Sequence, residues 1–332
     1  MNLVSLNDVH DAARRISGVA RRTPLVPCDP IVGPADHQVF IKAENLQHAG
    51  SFKVRGAANA LLARRERQQS SRAVVTFSAG NHGSAVAYVG GQLGIAVTVC
   101  MPPEAVQVKI DAVRRHGGDI VFTEDLIGTA ERLAAEKGCP VLHPFDDLDV
   151  IAGQGTVGLE VLQDLPHPDA VIVPVGGGGL ISGLGSVLSA LSGDTRVIGV
   201  EPVGARALSH ALRIGAPTPL PVRARSIADG LTAPSVGPIT YAHALRYVHQ
   251  VVEVGEQEIF DAWTHMVSVS GLFVEPSAAT TLAALRSGQI ELPAGAVVVL
   301  IASGGNAAPT ALAARPAGVH AGTTFPQSRH PL

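Results

Sequence analysis

Three stretches of the chain follow one grammar, in which a short β-branched run ends in glycine and passes directly into a helical pattern. They read AVVTFSAGNHGSAVAYVGGQLG from residue 73, AVIVPVGGGGLISGLGSVLSAL from 170 and AVVVLIASGGNAAPTALAA from 296. Continuous apolar runs of this kind mark strands buried on both faces of a parallel sheet. AVTVCM, DIVFT, RVIGVEP and VVEV add further strands, alternating with helical patterns around 104–117, 126–137 and 256–271. Such alternation predicts an α/β fold with an open, mostly parallel sheet. Open parallel sheets take ligands beyond the carboxyl ends of their strands. The glycine-rich turns at 78–83, 176–179 and 303–305 are therefore expected to share one site.

Composition removes several classes of function. The 332 residues are 46% hydrophobic and 16% charged, enough to bury a sizeable core and too apolar for a disordered chain. Net charge is -3 and no Lys/Arg-rich block occurs, so nothing marks a surface for nucleic acid or an anionic membrane. Small-molecule chemistry is the expectation. Cys28, Cys100 and Cys139 are odd in number and form no CxxC, which argues against a disulfide framework or zinc knuckle and for a reducing cytoplasm. At the N-terminus, Val9, Ala12, Ala13 and Ile16 recur at helical spacing behind a Ser5-x-x-Asp8 cap, which reads as a surface helix rather than a signal peptide. Uncharged segments at 170–193 and 294–314 are each broken by glycine and proline, against a membrane span. The tail after Ala314 reads as frayed.

Four consecutive glycines, Gly176 to Gly179, stand between a strand and a helix. Bare backbone N–H groups at such a junction form a phosphate cradle. The P-loop pattern fails, because the span from Gly178 to Gly183 is followed by Leu184 and Gly185 instead of Lys and Ser/Thr. A dinucleotide fingerprint fails too, with Ile181 or Ser182 where the third glycine belongs, although Glu201 lies where a ribose-binding acid would. A nicotinamide oxidoreductase stays open on that account.

Lys53 lies at the start of a helical pattern carried by Ala57, Ala58, Leu61 and Leu62, read as amphipathic. A cation is disfavoured at the positive end of a helix dipole, and partial burial beside Phe52 acts in the same direction. Both push the amine toward the neutral form that makes a Schiff base and acts as a general base. A plain surface lysine is the alternative, as is an electrostatic anchor in a phosphate-ligand binding protein. An aldehyde that carries a phosphate would unite Lys53 with the glycine loop, and pyridoxal 5'-phosphate is such a cofactor.

SFKVRGA, SAGNHG, HPFDDLDVIAGQGT, VPVGGGGLISG, SIADGL, EPSAA and SGGN occur in order between RRTPL at 21 and SGGN at 303–306. Together they resemble the threonine/serine dehydratase and serine racemase family, pyridoxal-phosphate enzymes of the tryptophan-synthase-β type (fold type II). The resemblance implies two open, mostly parallel twisted sheets. A large domain spans 1–69 and 147–320, a smaller mobile domain 70–146, and a flexible tail 321–332. By the same resemblance Lys53 binds the cofactor aldehyde, Phe52 packs on its ring and Asn81 contacts the ring hydroxyl. Gly176, Gly177, Gly178, Gly179 and Leu180 hold the phosphate, and Ser303 meets the ring nitrogen unless it only caps a helix. Ser78, Ala79, Gly80, Asn81 and His82 frame the substrate carboxylate.

The implied reaction is β-elimination from L-threonine or L-serine to a 2-oxo acid and ammonia, by a cytoplasmic homodimer that engages neither nucleic acid nor membrane. Dehydration of another hydroxy amino acid such as 3-hydroxyaspartate, or serine racemisation, are the alternatives. Racemases of the family carry serine where this chain has Ala79, and a polar residue where it has Phe145. Some relatives bind a divalent cation; here Glu201 and the Ala205 carbonyl are weak candidates, because Ala207 occupies the second acid position, and Glu201 could equally be a solvated strand end. Glu275 lies near the active site in relatives, though a loop acid before Pro276 explains it as well. With the few residues given after 320, a regulatory domain of the kind seen in biosynthetic members is not expected.

Overall fold

The computed structural model describes residues 2–28, 37–69, 71–308 and 310. The flexible-tail expectation for 321–332, and the last residues of the large domain, lie outside them. The strands are β1 (Leu25–Pro27), β2 (Gln38–Ala43), β3 (Ala73–Phe77), β4 (Ala96–Met101), β5 (Asp119–Phe122), β6 (Val141–Leu142), β7 (Ala170–Pro174), β8 (Arg196–Pro202), β9 (Gln250–Val254) and β10 (Val297–Ala302). The helices are α1 (Leu6–Arg15), α2 (Lys53–Glu66), α3 (Asn81–Leu93), α4 (Gln107–Arg115), α5 (Leu126–Lys137), α6 (Leu148–Asp164), α7 (Gly179–Leu191), α8 (Ala207–Ile214), α9 (Pro238–Tyr247), α10 (Glu256–Ser268) and α11 (Pro276–Arg286).

The strands form two sheets where the periodicity alone indicated one. The larger runs β1-β2-β10-β7-β8-β9 and the smaller β5-β4-β3-β6. Every pairing is parallel except the antiparallel β1–β2 edge. Alternation splits the larger sheet between two cores. Ile172 joins Ile41, Ile198, Trp263 and Leu282 on the face of α10 and α11, whereas Val171 and Val173 join Leu184, Leu188 and Val299 on the face of α7. In the smaller sheet Val74 and Val99 pack toward α3 and α4, and Val75 and Cys100 toward α5. Among the described residues no helix is long and apolar enough to cross a membrane.

Two local expectations change. α2 is buried nearly all round instead of amphipathic: Val54, Gly56, Ala58, Ala60 and Ala63 are covered as well as Ala57 and Leu61. It is wedged between α3 and α6, and a Cβ on Gly153 of α6 would strike the Arg55 carbonyl, so glycine permits the close crossing. The helical pattern expected after Ser303 has not begun by residue 308, and beyond that, residue 310 apart, it lies outside the described residues; Gly304 instead bridges to Ser51. α1 forms as expected, with the Ser5/Asp8 capping box in place and Val9 and Ala12 buried.

Beneath the start of α2 lies a charged knot. Arg55, 1% exposed, donates from Nε to Glu44 at 2.8 Å and from Nη1 to Glu160 at 2.7 Å. Lys42, wholly buried, donates to Glu160 and to the Thr23 carbonyl, each at 2.6 Å. Two cations thus face two carboxylates, which meets the condition for charge in a core.

Candidate active site

The three glycine turns do meet. One cavity is lined by Phe52, Lys53, Asn81, the run Gly176 to Leu180, and Ser303. A second cavity adjoins it, lined by Ser78, Ala79, Gly80, Asn81 and His82, with Lys53 shared between the two. Every residue assigned from the sequence to a cofactor or a substrate carboxylate therefore lines one of two connected spaces.

Lys53 is the first residue of α2, and no side chain caps that helix. The lysine is half-buried overall while its nitrogen lies deep, donating to the Pro144 carbonyl at 2.8 Å and standing 5.2 Å from the Phe52 ring centre. Burial lowers its pKa from 10.5 to about 8, the direction its neighbours in sequence suggested. Burial, then the charges of Lys53 and His143, holds His82 well below the usual histidine range, so it is neutral. His143 is lowered to about 4, chiefly by burial, and its Nδ1 accepts from the Asp146 N–H at 2.8 Å.

Gly178 has φ +91°, the left-handed region, and caps α7 through its backbone alone. A Cβ on Gly177 would overlap the Phe145 ring, and one on Gly176 would lie 3.1 Å from the Leu231 Cα. Side-chain-free backbone at the start of a helix, open to a cavity that an amine also lines, fits a phosphate-bearing aldehyde. Asn81 ties this wall to its neighbours: its side chain donates to Glu275 and accepts from Asn306 Nδ2, the latter at 2.9 Å. Ser303 is buried, and its carbonyl accepts from the Phe52 N–H at 3.1 Å; with no helix following through residue 308, it caps none there.

Sequence reasoning missed three residues. Lys109, 2% exposed, donates to both oxygens of Asp229, at 2.8 and 2.7 Å, beside the second cavity. Its only signal was a charge on the face of α4 that carries Val113 one turn later. Asp229 lay unassigned in SIADGL, and Asp146 in HPFDD accepts from the Ile239 and Thr240 N–H groups, pinning the 143–147 loop to the start of α9.

Glu201 lies outside both cavities. It is fully buried rather than a solvated strand end, and accepts from the Leu208 N–H at 2.7 Å and from the Ser209 N–H and hydroxyl at 2.8 and 2.7 Å. It holds the start of α8, so neither a ribose hydroxyl nor a cation is needed to explain it. No group of three or more His, Cys, Asp or Glu among the described residues could hold a metal ion. Burial, against these donors, raises its pKa from 4.5 to about 7. The folded state thus holds the proton more tightly than the unfolded one, and stability falls as pH rises between those values. Glu201→Gln should therefore gain on the parent in urea midpoint between about pH 5 and about pH 8; a difference that stays constant with pH contradicts this.

A family model described as pyridoxal-phosphate dependent enzyme matches residues 16–304, and the chain belongs to that family. It is 34% identical over 308 residues to the L-threonine ammonia-lyase of Thermotoga maritima, covering 92% of this chain and 76% of that one. To a serine racemase of Oryza sativa subsp. indica it is 35% identical over 309 residues, covering 91% and 90%. The crystal structure of a pyridoxal 5'-phosphate-dependent aspartate racemase superposes with a TM-score of 0.88 at 35% identity, over 94% of this chain and 99% of that one. The cofactor is pyridoxal phosphate, and the nicotinamide reading is withdrawn: the fingerprint is absent and its ribose acid is engaged with α8.

Proposed function

We propose that the chain removes ammonia from L-threonine, and from L-serine, by β-elimination to the 2-oxo acid. The observation that carries this reading is a lysine with a lowered pKa shared by two adjoining cavities, one walled by bare glycine backbone, the other by a polar turn at the start of α3. Gly176 to Gly179 and Leu180 would hold the phosphate, Phe52 and Asn81 the ring, Ser303 the ring nitrogen and Lys53 the aldehyde. Bound, the cofactor supplies the electron sink that makes a Cα–H acidic and lets a β-hydroxyl depart.

The chain's own residues do the rest. The Ser78 hydroxyl and the backbone from Ala79 to His82 orient the substrate carboxylate at the positive end of α3. The Lys53 amine takes the Cα proton, for which a pKa near 8 suits neutral pH. The β-hydroxyl departs as water, which in sum takes up the proton that Lys53 removed from Cα; one water is regained on hydrolysis, so ammonia alone departs in the net reaction. Neutral Ser303 cannot hold a ring nitrogen protonated as a carboxylate would, which favours rapid elimination over a long-lived carbanion. We take residues 70–146 as the smaller unit that closes over substrate against 1–69 and 147–320, in a cytoplasmic homodimer.

Racemisation has support from the rice relative, but it needs an acid on the face of Cα opposite Lys53. Ala79, the turn residue at the racemase serine position, carries a methyl group. The expected result is 2-oxobutanoate and ammonium in equal amounts from L-threonine, with pyruvate from L-serine exceeding D-serine at least about tenfold. D-serine formed as fast as pyruvate would overturn the choice of lyase, and absence of any 2-oxo acid would overturn the reaction.

A further inference from the structure

Lys109 sits on α4, in the part of the chain built around the smaller sheet, and its partners belong to the larger one. Asp229 opens the turn Asp229–Leu231, and Glu275, 1% exposed, precedes α11 and lies 3.2 Å from the Lys109 nitrogen. Burial works to lower the lysine's pKa, but attraction to Glu275 and Asp229 overrides it and keeps the ammonium charged. Two further contacts give this pairing a direction. A Cβ on Gly80 would overlap the Lys109 stem, so the lysine lies flat under the turn at 78–82. Beyond Asp229, Gly230 is held by the Ser277 hydroxyl at 3.1 Å, and Leu231 packs on Gly176. One ion pair thus connects the turn beneath one cavity to the glycine loop of the other.

We propose that Lys109 is a positioning residue for the elimination, clamping the Ser78–His82 turn onto the cofactor side of the site through Asp229 and Glu275. The proposal rests on the reading that this turn holds the substrate carboxylate. The Asp229 side chain is 31% exposed and borders the second cavity, so the clamp closes at the cavity's edge. The lysine acts through geometry and not by contact with the reacting atoms: its charge is already matched by two carboxylates.

Holoenzyme carrying Lys109→Met or Asp229→Asn separates these roles. Each should raise KM for L-threonine about tenfold with kcat changed far less and the cofactor absorption band retained, and the double variant should be no worse than Lys109→Met. Amides from 78 to 85 should exchange with deuterium about tenfold faster in both single variants, and Asp229→Glu should restore both readouts. Unchanged KM and exchange in Asp229→Asn overturn the clamp, and so does a lowered KM, which would mean the ammonium attracts substrate by charge. If Lys109→Met does not fold, Asp229→Asn, which leaves the Glu275 pairing, decides alone. Deuterium exchange needs no turnover, so a parent enzyme inactive on threonine defeats the functional reading while the clamp is still decided.

Discussion

Replacing Lys53 by alanine should lower 2-oxo acid production from L-threonine by on the order of 10³-fold or more, in a chain that still folds. The side chain makes one hydrogen bond, to the Pro144 carbonyl, so its loss costs little stability. What disappears is the anchor for the cofactor aldehyde and the base above Cα. Lys53→Arg should fail equally, since a guanidinium neither ionises in this range nor condenses with an aldehyde. A small primary amine added to Lys53→Ala should restore part of the rate by entering the vacated space. In the cofactor-free parent, Lys53 should be the lysine most readily alkylated near pH 8, because its neutral fraction rises as pH passes through its lowered pKa. Turnover retained in Lys53→Ala would remove the mechanism.

The second large effect concerns stability. Arg55→Ala should cost about 3–5 kcal/mol, because it leaves Glu44 and Glu160 in the core with Lys42 alone. All three are at most 14% exposed at the side chain, so solvent screens little of this. Lysine at position 55 should not rescue it, since the guanidinium serves both carboxylates at once through a planar fork. The measurement is the urea midpoint of the holoenzyme beside its activity; a shift no larger than that of a surface arginine such as Arg14 contradicts the assignment. Arg55 follows Lys53 by two residues on α2, so activity should fall at temperatures where the parent is stable.

Apolar periodicity and glycine placement made much of this architecture legible. β3, β4, β7 and β10 are continuous apolar runs, and the turns that follow β3, β7 and β10 carry the glycines that converge on Lys53. Periodicity could not say which strands pair, so the split into two sheets came only from the motifs' resemblance. β1 and β6, three and two residues long, are too short for a pattern to register. Lys109 and Asp229 are 120 residues apart, and nothing local marks them as partners. Glu201 sat where two ligand hypotheses wanted an acid; its partners, the backbone of Leu208 and Ser209, are invisible to any reading of residue types.

The position of β10 carries a consequence for biosynthesis. Its six residues, 297–302, insert between β2 and β7, while the four strands of the smaller sheet fall within 73–142. As the chain leaves the ribosome, the smaller sheet can finish early, but the larger one keeps two bare edges, at β2 and β7, until residues 297–302 have emerged. Synthesis that stalls before residue 297 yields a product with two unpaired templates for foreign strands, and Ser303 and Asn306 arrive only with the strand that seals them.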